Sequence, residues 1–135
     1  MKIVGFNFTK LSVDKKTNEF KDLKIKTSVD IVEVRQIKPE VFQVKDNLIE
    51  ISFKYDIDYN PDISKISLSG TVLTMMDQKM AKEFLKNWKK KKLPEEYSAM
   101  VLNIILRKSN IRALTLEDEM GLPSHLPLPS VKNQG

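Results

Sequence analysis

Apolar and polar residues alternate through the first half of the chain, and apolar residues recur every three or four positions in the second. The change comes near residue 76. A period of two marks strands and a period near 3.6 marks helices. Strands followed by helices predict an α+β domain built on an antiparallel sheet. The clearest strand is 48–59, where Ile49, Ile51, Phe53, Tyr55, Ile57 and Tyr59 share one face and Glu50, Ser52, Lys54, Asp56 and Asp58 the other. That is the pattern of a half-buried strand. A turn at Tyr59-Asn60-Pro61-Asp62 leads to a partner strand over 63–76. A tight closure around Asn60-Pro61 would set Tyr55 opposite Ile66, Phe53 opposite Leu68, Ile51 opposite Gly70 and Ile49 opposite Val72. On the other face it would set Asp56 opposite Lys65, Glu50 opposite Thr71 and Leu48 opposite Leu73.

Two strands are expected upstream. Residues 2–12 carry Val4, Phe6 and Phe8 in phase. Residues 23–37 carry Leu23, Ile25, Val29 and Ile31 in one phase and then Val32 and Val34 in the other, which implies a bulge or a change of buried face. Segment 38–47 reads as a loop that still holds Val41 and Phe42. Downstream, Asp77 is a fitting N-cap for a helix over 78–92, with Met80, Ala81, Phe84, Leu85 and Trp88 as its apolar stripe. Pro94-Glu95-Glu96 opens a second helix over 95–110, with proline and acidic residues where a first turn favours them. Asn110 is a candidate end for it, a further turn is expected over 112–120, and Gly121 is the stop. From Met100 to Leu106 only Asn103 is polar, more apolar surface than one small sheet can cover. Leu122 to Pro129 holds three prolines and reads as an extended tail whose leucines dock on something. The expected organisation is one α+β domain over 1–131 followed by a disordered end at 132–135.

Composition narrows the chemistry. The chain has 135 residues, the length of one domain, with 23 Lys and Arg, 18 Asp and Glu, one His and no Cys. Zero cysteines remove disulfides, thiolate zinc sites and cysteine nucleophiles, and one histidine removes a histidine metal cluster. With four glycines and neither GxxxxGK[ST] nor GxGxxG, no phosphate-cradling loop is present. No apolar run approaches the roughly 18 residues of a membrane span, and the start lacks the apolar core of a secretory signal. The expectation is a cytoplasmic protein without membrane insertion, enzymatic activity, catalytic residues, metal or cofactor.

The net charge of +5 is local. Residues 79–92 contain Lys79, Lys82, Lys86, Lys89, Lys90, Lys91 and Lys92 against Glu83 alone, a net of +6 that leaves −1 for the rest. This basic patch can contact phosphate or a membrane surface, or it is the solvated side of an amphipathic helix whose end favours lysine. No aromatic residues interleave with the lysines, so a base-stacking platform is not indicated. Asp56, Asp58 and Asp62 lie near an exposed turn, where nothing desolvates an acid. Glu117-Asp118-Glu119 reads as a solvated helical face. His125 has no partner pattern for catalysis. The remaining candidates are apolar: Val32, Val34, Phe42, Leu48, Leu73, Met75, Met76 and Met80 are read as a polypeptide-binding or oligomer-interface surface, or as ordinary core beneath the helices and tail.

The order of parts resembles the SecB-type protein-export chaperones and their relatives in toxin–antitoxin systems. The likeness is carried by the Phe6-x-Phe8 strand, by Ile66-Ser-Leu-Ser-Gly70-Thr-Val-Leu73 ahead of two helices, and by the Leu-Pro-Leu-Pro tail. It implies a four-stranded antiparallel sheet with two helices, assembly into dimers or tetramers, and apolar grooves that hold unfolded polypeptide without ATP. Only the Gly70 position and the Pro123–Pro129 tail carry over, both as structural features. Family members that deliver clients to the secretion motor use an acidic surface, whereas this chain's first helix is basic. Two other partner classes compete with the holdase reading: nucleic acid at Lys79–Lys92, and a single fixed protein partner.

Overall fold

The computed structural model describes residues 1–37 and 47–131. The loop candidates Val41 and Phe42 and the end at 132–135 lie outside the described residues. Four long strands, β1 (Lys2–Lys15), β2 (Lys24–Ile37), β3 (Asn47–Asn60) and β4 (Ser64–Met76), form one antiparallel sheet in the order β1-β4-β3-β2. Helices α1 (Gln78–Trp88) and α2 (Glu95–Met120) follow and cover one face. The fold is α+β.

The β3–β4 hairpin is wider than the tight closure predicted from the sequence. Tyr59 pairs with Ser64, and the Ile63 N–H donates to the Tyr59 carbonyl at 2.9 Å, so Asn60–Ile63 form the connection. Every pairing therefore moves by two residues: Tyr55 faces Leu68, Phe53 faces Gly70, Ile51 faces Val72 and Leu48 faces Met75. A shift of two preserves which face each side chain occupies, so alternation alone does not distinguish the two registers. Lys65 now lies opposite Asp58, 3.8 Å away, while Asp56 accepts from the Ser67 hydroxyl at 2.6 Å.

Gly70 is the residue that this register requires. A Cβ there would overlap the Asn7 carbonyl and come within 2.8 Å of the Phe53 ring. The bare backbone lets Phe53 lie across it, and Phe6 and Phe8 close around that ring with centroids at 5.3 and 6.3 Å. The Phe6-x-Phe8 pattern is thus an aromatic clamp over a glycine.

The edge strands carry bulges. The β2 ladder shifts between Ile31 and Glu33, so Val32 is the extra residue. Ile31 and Val34 consequently both face the helices, opposite Phe53 and Ile51. The sequence reading placed Val32 and Val34 on one outer surface; Val34 is instead in the core and Val32 is exposed. Two further shifts, at Val4 and Thr9, bend β1. Val4 leaves the phase of Phe6 and Phe8 and is exposed.

The core falls into two clusters. Ile49, Ile51, Phe53 and Val72 meet Phe84, Val101 and Ile105, and Tyr55, Ile57, Tyr59, Ile66 and Leu68 meet Ala113, Leu116 and Leu122. Asp77 caps α1 by accepting from the Met80 N–H at 2.8 Å. That helix ends at Trp88, short of the expected residue 92. Helix α2 runs unbroken past Asn110, because the tertiary contacts of that side chain outweigh its weak local preference against a helix. Gly121, at φ 63°, ends α2 and turns the chain back over the sheet.

Candidate binding surfaces

Residues on the two faces of the sheet divide the candidates. Met76 and Val34 are buried in the first core cluster, and Met80 packs against it. These three therefore belong to the core rather than to a free surface. Leu48, Leu73 and Met75 lie half-buried on the face away from the helices, and Val32, 53% exposed, lies further along the sheet at the bulge beside Ser52 and Phe53. The same face carries an open depression of about 440 Å³ of mixed polar and apolar lining, between Thr9, Val32, Glu50, Lys54 and Thr71.

Helix α2 supplies surface that no single candidate residue indicated. It buries Val101, Ile105, Ser109, Ala113 and Leu116 against the sheet. Met100 and Ile111 are 48% and 59% exposed on its other sides, and Leu102, Ile104 and Leu114 are half-buried. A helix apolar on more than one side, with one side against the sheet, has apolar surface left for a partner.

At the junction of the helices, Ile31, Trp88, Leu93 and Leu102 line a cleft of about 330 Å³. Lys91 and Lys92 form its rim, and the Lys91 ammonium sits 4.8 Å from the centre of the Trp88 ring. Lys79, Lys82 and Lys86 are exposed along α1, and Lys89 and Lys90 are exposed just beyond it. Among the described residues, none of the seven forms an ion pair.

The tail is held by a buried polar cluster that the sequence reading missed. Glu117, taken there as solvated, is buried, whereas Asp118 and Glu119 are exposed. His125 Nδ1 lies 2.7 Å from Glu117 Oε1, and the His125 backbone N–H donates to Oε2 at 2.9 Å. The Tyr59 hydroxyl donates to Glu117 and lies 3.1 Å from the Pro123 carbonyl. The Tyr55 hydroxyl donates to Asn110 at 2.6 Å and meets His125 Nε2 at 3.0 Å. Burial, with help from the Glu117 carboxylate, pushes both tyrosine hydroxyls well above their usual pKa. The spacing Asn110, Glu117, two helical turns apart and ahead of a histidine in the tail, was the available signal. The cluster is enclosed and clasps the tail to α2 and β3.

Among the described residues no group of three or more acidic, His or Cys side chains could hold a metal ion. Among the described residues no helix is long and apolar enough to cross a membrane.

No family model and no curated protein matches this chain. A solved structure does: the Mycobacterium tuberculosis Rv1957 SecB-like chaperone in complex with a ChAD peptide from the Rv1956 HigA1 antitoxin. It aligns over 99% of this chain and 92% of its own, with a TM-score of 0.54 and 13% identity. At that identity the match shows the fold.

Proposed function

We propose that this protein is an ATP-independent chaperone of the holdase type, a non-enzymatic binder of unfolded or non-native polypeptide. The observation that carries the reading is the apolar cleft of Ile31, Trp88, Leu93 and Leu102 at the junction of the helices, beside a helix α2 that also keeps Met100 and Ile111 exposed. Holding an unfolded chain requires grooves for apolar side chains and no reacting group. The chemistry present is of that kind: apolar side chains line the Trp88 cleft, and the buried carboxylates Asp56 and Glu117 are held by hydrogen bonds, Asp56 from Ser67 and Glu117 within the tail clasp. The SecB-like fold neighbour binds a peptide, which supports a polypeptide ligand here.

Self-association belongs to the same proposal. Leu48, Leu73 and Met75 on the outer face of the sheet and the Ile111 side of α2 are two separate apolar surfaces, with Val32 exposed further along at the β2 bulge. Two surfaces on one chain build a dimer and then a tetramer. This leaves the Trp88 cleft, on the edge beside β2, for the client. The site of action proposed is the cytoplasm, and docking to a secretion motor is not part of the reading.

The test is suppression of aggregation of several unrelated denatured proteins, without nucleotide, at near-stoichiometric ratio. Protection of more than one client is the expected result. No protection at several-fold excess removes the proposal.

A further inference from the structure

We infer that the Trp88 cleft selects extended segments in which an apolar side chain is flanked by carboxylates. The inference rests on the holdase reading and names its substrate class. Its cavity of about 330 Å³ is at the small end of ligand pockets, suited to one or two side chains rather than to a cofactor. Ile31, Trp88, Leu93 and Leu102 make the apolar part, and Lys91 and Lys92 the rim, with Glu95 as the one carboxylate among the lining residues. Lys89 and Lys90 are adjacent in the chain and exposed. Two lysines of the most basic stretch in the sequence therefore line an apolar cleft, against a single carboxylate.

The backbone makes the arrangement specific. The Lys91 N–H donates to the Trp88 carbonyl at 2.8 Å and the Lys92 N–H to the Asn87 carbonyl at 3.3 Å. These two bonds form the helix-ending motif whose left-handed position is normally glycine. Lys91 occupies that position, at φ 58°. A side chain there costs stability that glycine would recover. In return, the Lys91 ammonium is set over the Trp88 ring at the cleft mouth. Strain kept where glycine is the easy choice is a mark of a functional position. Nucleic acid fits less well, since Trp88 is half-buried and the ammonium stands over its ring, leaving no open stacking platform.

The experiment uses three labelled peptides of one apolar content, spaced with Asp and Glu, with Ser, or with Lys, titrated at low and high salt. The acidic peptide is expected to bind about tenfold more tightly than the basic one at low salt, with the gap closing as salt rises. Changing Lys89–Lys92 together to Ser should abolish the preference. Lys91→Gly should raise the urea midpoint while weakening the acidic peptide, a split that a merely structural lysine does not produce. Equal affinities for the three peptides, an acidic affinity untouched by the Ser variant, or displacement of the peptide by a tighter-binding DNA oligomer would each overturn the inference. Aggregation suppression is measured in parallel: suppression with charge-blind binding leaves the holdase reading standing, and charge-dependent binding without suppression removes that reading and keeps the cleft.

Discussion

His125 and Glu117 meet 2.7 Å apart with side chains 1% and 2% exposed, so a residue of the tail and a residue of the long helix form one enclosed polar contact. The Tyr59 hydroxyl and the His125 N–H share the same carboxylate. Removing it leaves several buried groups without partners. Glu117→Ala is expected to cost about 3 kcal/mol or more. A urea titration with tail proteolysis checks this: the variant should unfold earlier and lose the segment after Gly121 faster than the wild type.

The same cluster sets an alkaline limit. Tyr55 and Tyr59 hold their protons more tightly folded than unfolded, where the ordinary value is 10.0. Above that pH the unfolded chain binds fewer protons than the folded one, so stability falls as pH rises. Each tyrosine contributes a slope of about 1.4 kcal/mol per pH unit. The tyrosinate absorbance of these two residues should appear together with unfolding. Their ionisation in an intact fold would contradict the assignment.

Gly70 tolerates no side chain. Gly70→Ala forces apart β1 and the Phe53 ring, and overpacking of this kind costs roughly 1–3 kcal/mol. Chemical denaturation should show a lower midpoint with an unchanged slope. A neutral substitution would mean that the aromatic clamp has room for a methyl group.

Surface and interface separate by mutation. Val32→Lys and Ile111→Lys alter residues 53% and 59% exposed, so each should change stability by no more than about 0.5 kcal/mol. If these faces join subunits, each variant should lower the solution mass. An unchanged mass with both lysines present would assign these apolar faces elsewhere.

The strands, the direction of the sheet and the α1 cap were legible because their signals are local: alternation over 48–59, and Asp77 three residues before the amide it caps. The hairpin register was not, since a shift of two conserves every face and the four-residue connection decides it. Val34 was misplaced because the bulge at Val32 returns it to the inner face, and a phase change alone does not say which way the chain recovers. Asn110 and Glu117 read as a helix end and a solvated charge because each was judged by its neighbours in sequence. Their partners, Tyr55, Tyr59 and His125, are brought to them only by the sheet and by the turn at Gly121. The Trp88 cleft was hidden in the same way: its lysines were visible, but Ile31 and Leu102 come from distant parts of the chain.

The most direct test of the holdase account is the solution mass by light scattering, with and without a permanently unfolded polypeptide and without nucleotide. The account predicts an oligomer, a dimer or tetramer, whose mass rises by that of the bound chain. A monomer whose mass is unchanged by unfolded protein would contradict it.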